Sequence, residues 1–173
     1  MKIGIDLDGV VIDSETTFRT YEEIFDIDIL NGNNLIKTEE PKSQYRYDWT
    51  EEQQKEFIEK YFLTVSRESG LMSGFIGVYN LLKKQGHEFI VITARGGFIE
   101  KMKDDAIRVL DENNIKFDKY YWKIEDKLGI CQKEKVDVMI DDDWRIIKKL
   151  EENEYIKEVN NWGDIYRYFR YEK

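Results

Sequence analysis

Cysteine, histidine and proline are almost absent from this chain of 173 residues, which contains one of each: Cys131, His87 and Pro41. A single cysteine cannot form an internal disulfide, and this fits a reducing compartment. One cysteine and one histidine are also too few for a zinc site. No apolar run approaches the ~18 residues of a membrane span, and the first residues lack the apolar stretch of a signal peptide. We therefore expect a cytoplasmic protein that does not enter the membrane.

Positive charge is also scarce. The chain has 27 Lys and Arg residues against 36 Asp and Glu residues, which gives a formal net charge of −9. Proteins that bind nucleic acid usually present a basic surface, and no run of Lys or Arg would supply one here. We therefore expect no nucleic-acid polymer as a partner. An acidic protein can still bind a small phosphate ester if a metal ion and a few local cations offset the repulsion. The sequence leaves a homodimer open.

Strands and helices are predicted to alternate along most of the chain. The first strand is predicted over Lys2–Asp6, and from Gly74 onward a helix precedes each of the remaining strands. These later strands are predicted at Glu88–Thr93, Lys119–Lys123, Val136–Ile140 and Tyr155–Val159. Such an alternation is typical of an α/β protein, in which helices flank a parallel sheet.

One segment interrupts this alternation. Residues 14–73 contain two predicted helices, and the second begins at Thr50, where Gln53 stands at the position of a capping box. The segment is too long for a strand-to-helix loop, so we predict a small helical cap inserted after the first strand. The predicted catalytic core comprises residues 1–13 and 74–173, and the cap comprises residues 14–73.

Acidic and polar residues stand at the ends of three of the predicted strands: Asp6 and Asp8 at the first, Thr93 and Arg95 at the second, and Asp141, Asp142 and Asp143 at the fourth. In open parallel sheets, ligands bind at the carboxyl ends of the strands. Carboxylates crowded at one edge repel each other, and Mg²⁺ is the cation that oxygen ligands of this kind suit. An Asp after a strand is also a common turn former or helix cap. Asp6, Asp8 and Asp141, each at the end of an apolar strand, together favour a cation site.

Four motifs in the chain resemble those of the haloacid dehalogenase-like (HAD) phosphatases. They are, in the family's order, Ile5–Val11 (IDLDGVV), Ile90–Arg95 (IVITAR), the lone Lys127, and Val136–Asp142 (VDVMIDD). The resemblance covers the whole predicted core. It implies a HAD-type Rossmann-like sheet with a cap, and Mg²⁺-dependent hydrolysis of a phosphate monoester.

Within that superfamily the chain is most similar to the 5′(3′)-deoxyribonucleotidase and 5′-nucleotidase type C branch and its uncharacterised bacterial relatives. The similarity lies in the DLDGV start, the Asp126-Lys127-Leu128 sequence, the closing IDD and the modest cap. Two positions depart from that branch: Ser14 stands where an aromatic residue is frequent, and Asp143 where several members have Lys.

The resemblance implies a catalytic pair and a metal site. Asp6 would be the nucleophile that forms an aspartyl-phosphate, and Asp8 would transfer the proton. Asp6 and Asp141 would bind Mg²⁺ directly, together with the backbone carbonyl of Asp8. Asp142 would orient a water molecule bound to the metal.

The resemblance also implies a set of residues around the phosphate: Gly9, Thr93, Ala94, Arg95 and Lys127. Thr93 would contribute its hydroxyl and Lys127 its charge, and both would take part in catalysis. A surface ion pair with Glu125 or Asp126 is the alternative for Lys127. A solvated loop position is the alternative for Arg95.

An aromatic and basic cluster lies in the predicted cap and includes Tyr45, Tyr47 and Trp49. These side chains would either form the core of the cap or stack on a substrate base. We expect a small phosphorylated substrate, with a (deoxy)nucleoside monophosphate as first choice. The alternatives are another small ester such as a sugar phosphate, a terminal phosphate of a nucleic acid, a signalling receiver domain, and a domain that binds phosphate or protein without catalysis.

Overall fold

The computed structural model describes residues 1–38, 43–151, 156–158 and 161–171. Contacts between residues divide the chain into two compact units. The first comprises Met1–Asp13 and Gly70–Lys173, and the second comprises Ser14–Ser69.

The first unit contains a sheet of five parallel strands in the order β3-β2-β1-β4-β5. The strands are β1 (Lys2–Ile5), β2 (Glu88–Ile92), β3 (Lys119–Tyr121), β4 (Val138–Asp141) and β5 (Ile156–Glu158). The prediction of an α/β fold with a parallel sheet is therefore confirmed. Of the predicted last strand, Tyr155 and Val159 lie outside the described residues.

Helices flank this sheet on both faces. In this unit they are α4 (Phe75–Lys84), α5 (Lys101–Glu112), α6 (Lys127–Glu134), α7 (Trp144–Glu151) and α8 (Trp162–Tyr171). Side chains alternate between the two faces of each strand, because successive residues of a strand point in opposite directions. In β2, Phe89 and Val91 pack in a cluster with residues of α4, α5 and α8, whereas Ile90 and Ile92 pack in a cluster with residues of α6 and α7.

Cys131 belongs to the second of these clusters. Its side chain is fully buried, and burial raises the pKa of the thiol to about 11. The thiolate is the reactive form of cysteine, so a buried and protonated thiol is chemically inert. Cys131 is therefore a core residue.

The second unit is helical and stands between β1 and β2 in the chain. Its helices are α1 (Ser14–Asp28), α2 (Ser43–Arg46) and α3 (Glu51–Glu68). The predicted capping box at the start of α3 is present: the Gln53 backbone N–H donates to the Thr50 hydroxyl at 3.3 Å, and the Thr50 N–H donates to the Gln53 side chain at 2.8 Å.

Aromatic side chains form the core of this helical unit. Tyr47 and Trp49 stack with ring centroids 4.3 Å apart and are buried with Phe25 and Phe57. The Trp49 indole N–H also donates to Asp26 at 2.8 Å, so its polar edge is satisfied. Tyr45, in contrast, is exposed. Two of the three aromatic residues proposed for base stacking are thus part of the unit's own core.

A buried ion pair also lies inside the helical unit. The guanidinium of Arg46 lies 2.6 Å from the Glu22 carboxylate and 2.8 Å from that of Glu15. The side chains of Arg46 and Glu22 are both almost completely buried. Since a single buried charge would destabilise the fold strongly, each of these residues depends on the other.

Within the part of the chain that the structure describes, no helix has both the length and the apolar character needed to cross a membrane.

Candidate active site

The pairing of β1 with β4 brings two of the predicted acids together. Ile5 pairs with Ile140, and the Asp6 N–H donates to the Ile140 carbonyl at 3.0 Å. Asp6 directly follows β1, and Asp141 is the last residue of β4. Because the strands are parallel neighbours, both carboxylates lie at the carboxyl edge of the sheet.

Three carboxylates meet at this edge. Oxygen atoms of Asp6, Asp141 and Asp142 all lie within 4.8 Å of one another. Asp141 is fully buried and Asp6 nearly so, whereas Asp142 is exposed. A set of carboxylate oxygens at this spacing fits a hard divalent cation such as Mg²⁺. Asp142, expected to act through a water molecule, is close enough to the other two to be a direct ligand.

Lys127 balances part of this negative charge. Its ammonium lies 2.6 Å from Asp141 Oδ2 and 3.0 Å from Asp6 Oδ1, and its side chain is 5% exposed. Burial lowers the pKa of Lys127, but the charges of Asp6 and Asp141 more than offset this, so the pKa is raised and the residue stays cationic. The nearby Asp126 pairs instead with Lys149 at 2.7 Å. Lys127 is therefore part of the acidic site, and its surface ion-pair alternative is excluded.

Burial and the remaining negative charge raise the pKa values of two carboxyl groups. Burial and the charge of Asp6 raise the pKa of Asp141 to about 6, against the opposing effect of Lys127. Burial of the carboxyl group among protein atoms and the charges of Asp6 and Asp141 raise the pKa of Asp142 to about 7, although part of this residue is in contact with solvent. Three carboxylates and one ammonium carry a formal charge of −2. A divalent cation would cancel it, which is the electrostatic reason that the site fits one.

A tight turn after β1 brings Gly9 against Asp142. The N–H groups of Val11 and Ile12 both donate to the Leu7 carbonyl, at 2.9 and 2.8 Å, and Gly9 has φ of 72° within this turn. A Cβ atom on Gly9 would lie 2.0 Å from Asp142 Oδ2 and 2.5 Å from its Cγ. Gly9 therefore leaves the space that the Asp142 carboxylate occupies.

Gly9→Ala is expected to displace this carboxylate, and Gly86→Ala is a matched control. Gly86 also has a positive φ, 84°, but an added Cβ there would have no atom within 4 Å. Both variants therefore carry backbone strain of about 1–2 kcal/mol, and only Gly9→Ala adds a clash with Asp142. We expect Gly9→Ala to lose about 1–3 kcal/mol more in free energy of unfolding. Any stabilisation that the wild type gains from Mg²⁺ bound at the three carboxylates should also be smaller in Gly9→Ala. Urea unfolding with and without Mg²⁺ measures both effects, and equal behaviour of the two variants would contradict this account.

The loop after β2 contains the other predicted phosphate residues. Thr93 is buried and its hydroxyl accepts a hydrogen bond from the Arg95 N–H at 3.2 Å, while Ala94 is exposed. The Arg95 side chain is buried too. It donates through Nε to the Met102 carbonyl at 2.8 Å and through Nη1 to the Asp8 carboxylate. Arg95 is thus not a solvated loop residue, and its charge is directed to Asp8.

The solved structures that resemble this chain share its fold. A haloacid dehalogenase-like family protein from Streptococcus pneumoniae matches with a TM-score of 0.61 and 15% identity over 89% of this chain and 81% of that one. The fold is that of the haloacid dehalogenase-like hydrolases. A second hydrolase from Streptococcus pneumoniae has a TM-score of 0.65 at 12% identity, covering 98% of this chain and 97% of the other. A predicted phosphatase from Clostridium acetobutylicum has a TM-score of 0.57 at 14% identity, with the same coverage.

Sequence comparison adds nothing to this likeness: no family model and no curated protein matches the chain.

Proposed function

We propose that this protein hydrolyses small phosphate monoesters with the help of Mg²⁺, through an aspartyl-phosphate on Asp6. The observation that carries the proposal is the buried arrangement of Lys127 between Asp6 and Asp141, with the carboxylate of Asp142 beside them. A buried cation placed among carboxylates at a sheet edge suits a ligand that is itself an anion and arrives with a divalent metal ion.

The proposed metal ligands are Asp6, Asp141 and the backbone carbonyl of Asp8. Asp142 would bind either directly or through a water molecule. When bound, Mg²⁺ would neutralise phosphate oxygens and so favour attack by a carboxylate.

In the proposed first step, an oxygen of Asp6 attacks phosphorus, and the bond between phosphorus and the ester oxygen breaks. Asp8 gives its proton to the leaving oxygen, which departs as an alcohol. In the second step, Asp8 takes a proton from water. The water oxygen attacks phosphorus, and the bond from phosphorus to Asp6 breaks to release inorganic phosphate. The side chain of Asp8 is 35% exposed, which fits a group that must reach both the leaving group and water.

Lys127, Thr93 and the Gly9 turn are the proposed phosphate-binding elements. Lys127 would supply a positive charge at a fixed position, because its side chain is buried and its ammonium is held by two carboxylates. Fixed charges of this kind provide much of the catalysis in phosphoryl transfer.

Nucleoside monophosphates remain the first proposed substrate class, on the basis of the motifs that resemble the nucleotidase branch. Sugar phosphates are the second candidate. One observation favours them: Tyr47 and Trp49 pack within the helical unit, so they are not available as a wall for a nucleobase. The acidic chain also makes a polymeric nucleic acid the least suitable substrate.

A phosphate-release assay over deoxynucleotides, ribonucleotides and sugar phosphates tests the proposal. We expect turnover in Mg²⁺ that disappears when EDTA is added and returns when Mg²⁺ is restored. Preference for nucleotides would assign the branch, and preference for sugar phosphates would assign the second candidate. If the wild-type protein releases no phosphate from any member of a broad panel, the proposed function is wrong and a binding role takes its place.

A further inference from the structure

We infer that Arg95 is a positioning residue that holds the carboxylate of Asp8 in place for proton transfer. This inference rests on the proposed function, in which Asp8 moves the proton. It gives Arg95 a different task from the phosphate contact that the motif resemblance implied.

The first support is the rigid setting of Arg95. Its guanidinium is almost fully buried, with 1% exposure, and is held by the Met102 carbonyl near the start of α5. Its backbone N–H is held by the Thr93 hydroxyl. A planar guanidinium fixed at several points presents its remaining donors in a defined direction, and here that direction leads to Asp8.

The second support is the contrasting exposure of the two partners. Asp8 Oδ1 accepts from Arg95 Nη1, yet 35% of the Asp8 side chain remains in contact with solvent. The ion pair therefore fixes a half-exposed carboxylate from its buried side. General acid–base catalysis depends on such placement, because the carboxylate must lie within hydrogen-bond distance of both the leaving oxygen and the attacking water.

The third support is that another cation already serves the buried carboxylates. Lys127 pairs with Asp6 and Asp141 but is not paired with Asp8 among the ion pairs of the described residues. The two cations thus pair with different acids at the sheet edge, Lys127 with Asp6 and Asp141 and Arg95 with Asp8. Lys127 belongs to the phosphoryl-transfer side and Arg95 to the proton-transfer side.

The two roles of Arg95 predict different kinetics. A residue that positions Asp8 should affect kcat and leave KM and inhibition by inorganic phosphate nearly unchanged. A phosphate ligand should raise KM and weaken inhibition by phosphate when it is removed. The experiment therefore measures kcat, KM and the phosphate inhibition constant for Arg95→Met, Arg95→Lys, Asp8→Asn and the double variant Asp8→Asn/Arg95→Met.

We expect Arg95→Met to lower kcat by about 10²-fold and Asp8→Asn by about 10³-fold. The double variant should be no more than about threefold slower than Asp8→Asn alone, because Arg95 has nothing left to position. Arg95→Lys keeps the charge and should recover part of kcat. Arg145→Met is the control, since Arg145 is exposed and pairs with Asp143 beside the site, and it should stay within about twofold of wild type.

Two results would overturn the inference. One is a multiplicative loss in the double variant, which would mean that Arg95 acts independently of Asp8. The other is a raised KM and weaker phosphate inhibition with kcat unchanged, which would make Arg95 a phosphate ligand. If Arg95→Met does not fold, the same comparison is made with Arg95→Lys alone and in combination with Asp8→Asn. Because wild-type turnover is measured first, failure of the proposed function is seen separately as a wild type without activity.

Discussion

Asp6→Asn is expected to lower kcat for phosphate release by at least about 10⁴-fold, because it removes the atom that would form the covalent intermediate. The substituted amide has nearly the shape of the carboxylate, so the turn after β1 and the sheet pairing should be preserved. It also removes one negative charge from the cluster with Asp141 and Asp142. The variant should therefore bind Mg²⁺ more weakly as well as lose turnover.

Asp137→Asn is the matched control for this variant. Asp137 accepts a hydrogen bond from the Lys2 N–H at 2.7 Å, next to the start of β1 and β4 and thus at the opposite edge of the sheet from Asp6. It should keep wild-type activity within about twofold. A mass spectrum of acid-quenched wild type should show a phosphate adduct on the peptide that contains Asp6. If Asp6→Asn keeps a tenth or more of the activity, the nucleophile is another residue or water.

The sheet was predictable because its strands are short apolar runs that precede polar residues. The predicted strand over Glu88–Thr93 is observed over Glu88–Ile92, and Lys119–Lys123 is observed over Lys119–Tyr121. The largest difference is at β4, which begins at Val138 rather than Val136. The Val136 N–H donates to the Cys131 carbonyl at 2.9 Å and so completes the end of α6 instead of joining the sheet. Hydropathy alone does not separate these two uses of an apolar residue.

The approach of Asp6 to Asp141 was predictable for a different reason. Both follow apolar strands, and a parallel sheet brings the carboxyl ends of its strands to the same edge. The partner of Lys127 was not decided by the sequence, because Glu125 and Asp126 lie beside it in the chain and offer local pairs. Burial of Lys127 depends on how α6 packs on the sheet, which is a tertiary property that no local pattern contains.

The contacts of Arg95 and Gly9 were beyond sequence reasoning altogether. The ion pair of Arg95 with Asp8 joins residues 87 positions apart. Each of the two could have paired with another charged group at the same site. The contact of Gly9 with Asp142 depends on how closely the turn after β1 approaches the end of β4, where an added Cβ on Gly9 would lie 2.0 Å from Asp142 Oδ2. In both cases the residue types indicated a site, and only the geometry assigned each residue a neighbour.

Lys127→Met is expected to have opposite effects on catalysis and on metal binding. In the proposed function Lys127 supplies a fixed charge to the phosphoryl group, and loss of that charge should lower kcat by about 10²–10³-fold. In the variant without Mg²⁺, the fully buried Asp141 would lose the ammonium of Lys127 that pairs with it. Removing one partner of a buried ion pair lowers the free energy of unfolding by about 3–5 kcal/mol. The acidic cluster would then have a larger unbalanced negative charge. Mg²⁺ should therefore stabilise the variant more than it stabilises the wild type.

Thermal unfolding over a series of Mg²⁺ concentrations, together with steady-state kinetics, measures both effects. Lys149→Met provides the control, because Lys149 pairs with Asp126 at the exposed surface and its loss should change neither quantity appreciably. A larger Mg²⁺-dependent rise in Tm would show that Lys127 and the metal ion neutralise the same carboxylates. A lower kcat in the same variant would show that the metal ion does not replace the charge that Lys127 supplies to the phosphate. If kcat and the Mg²⁺ response both fall, Lys127 instead holds Asp6 and Asp141 in the geometry that the metal requires, and the charge argument for the site is wrong.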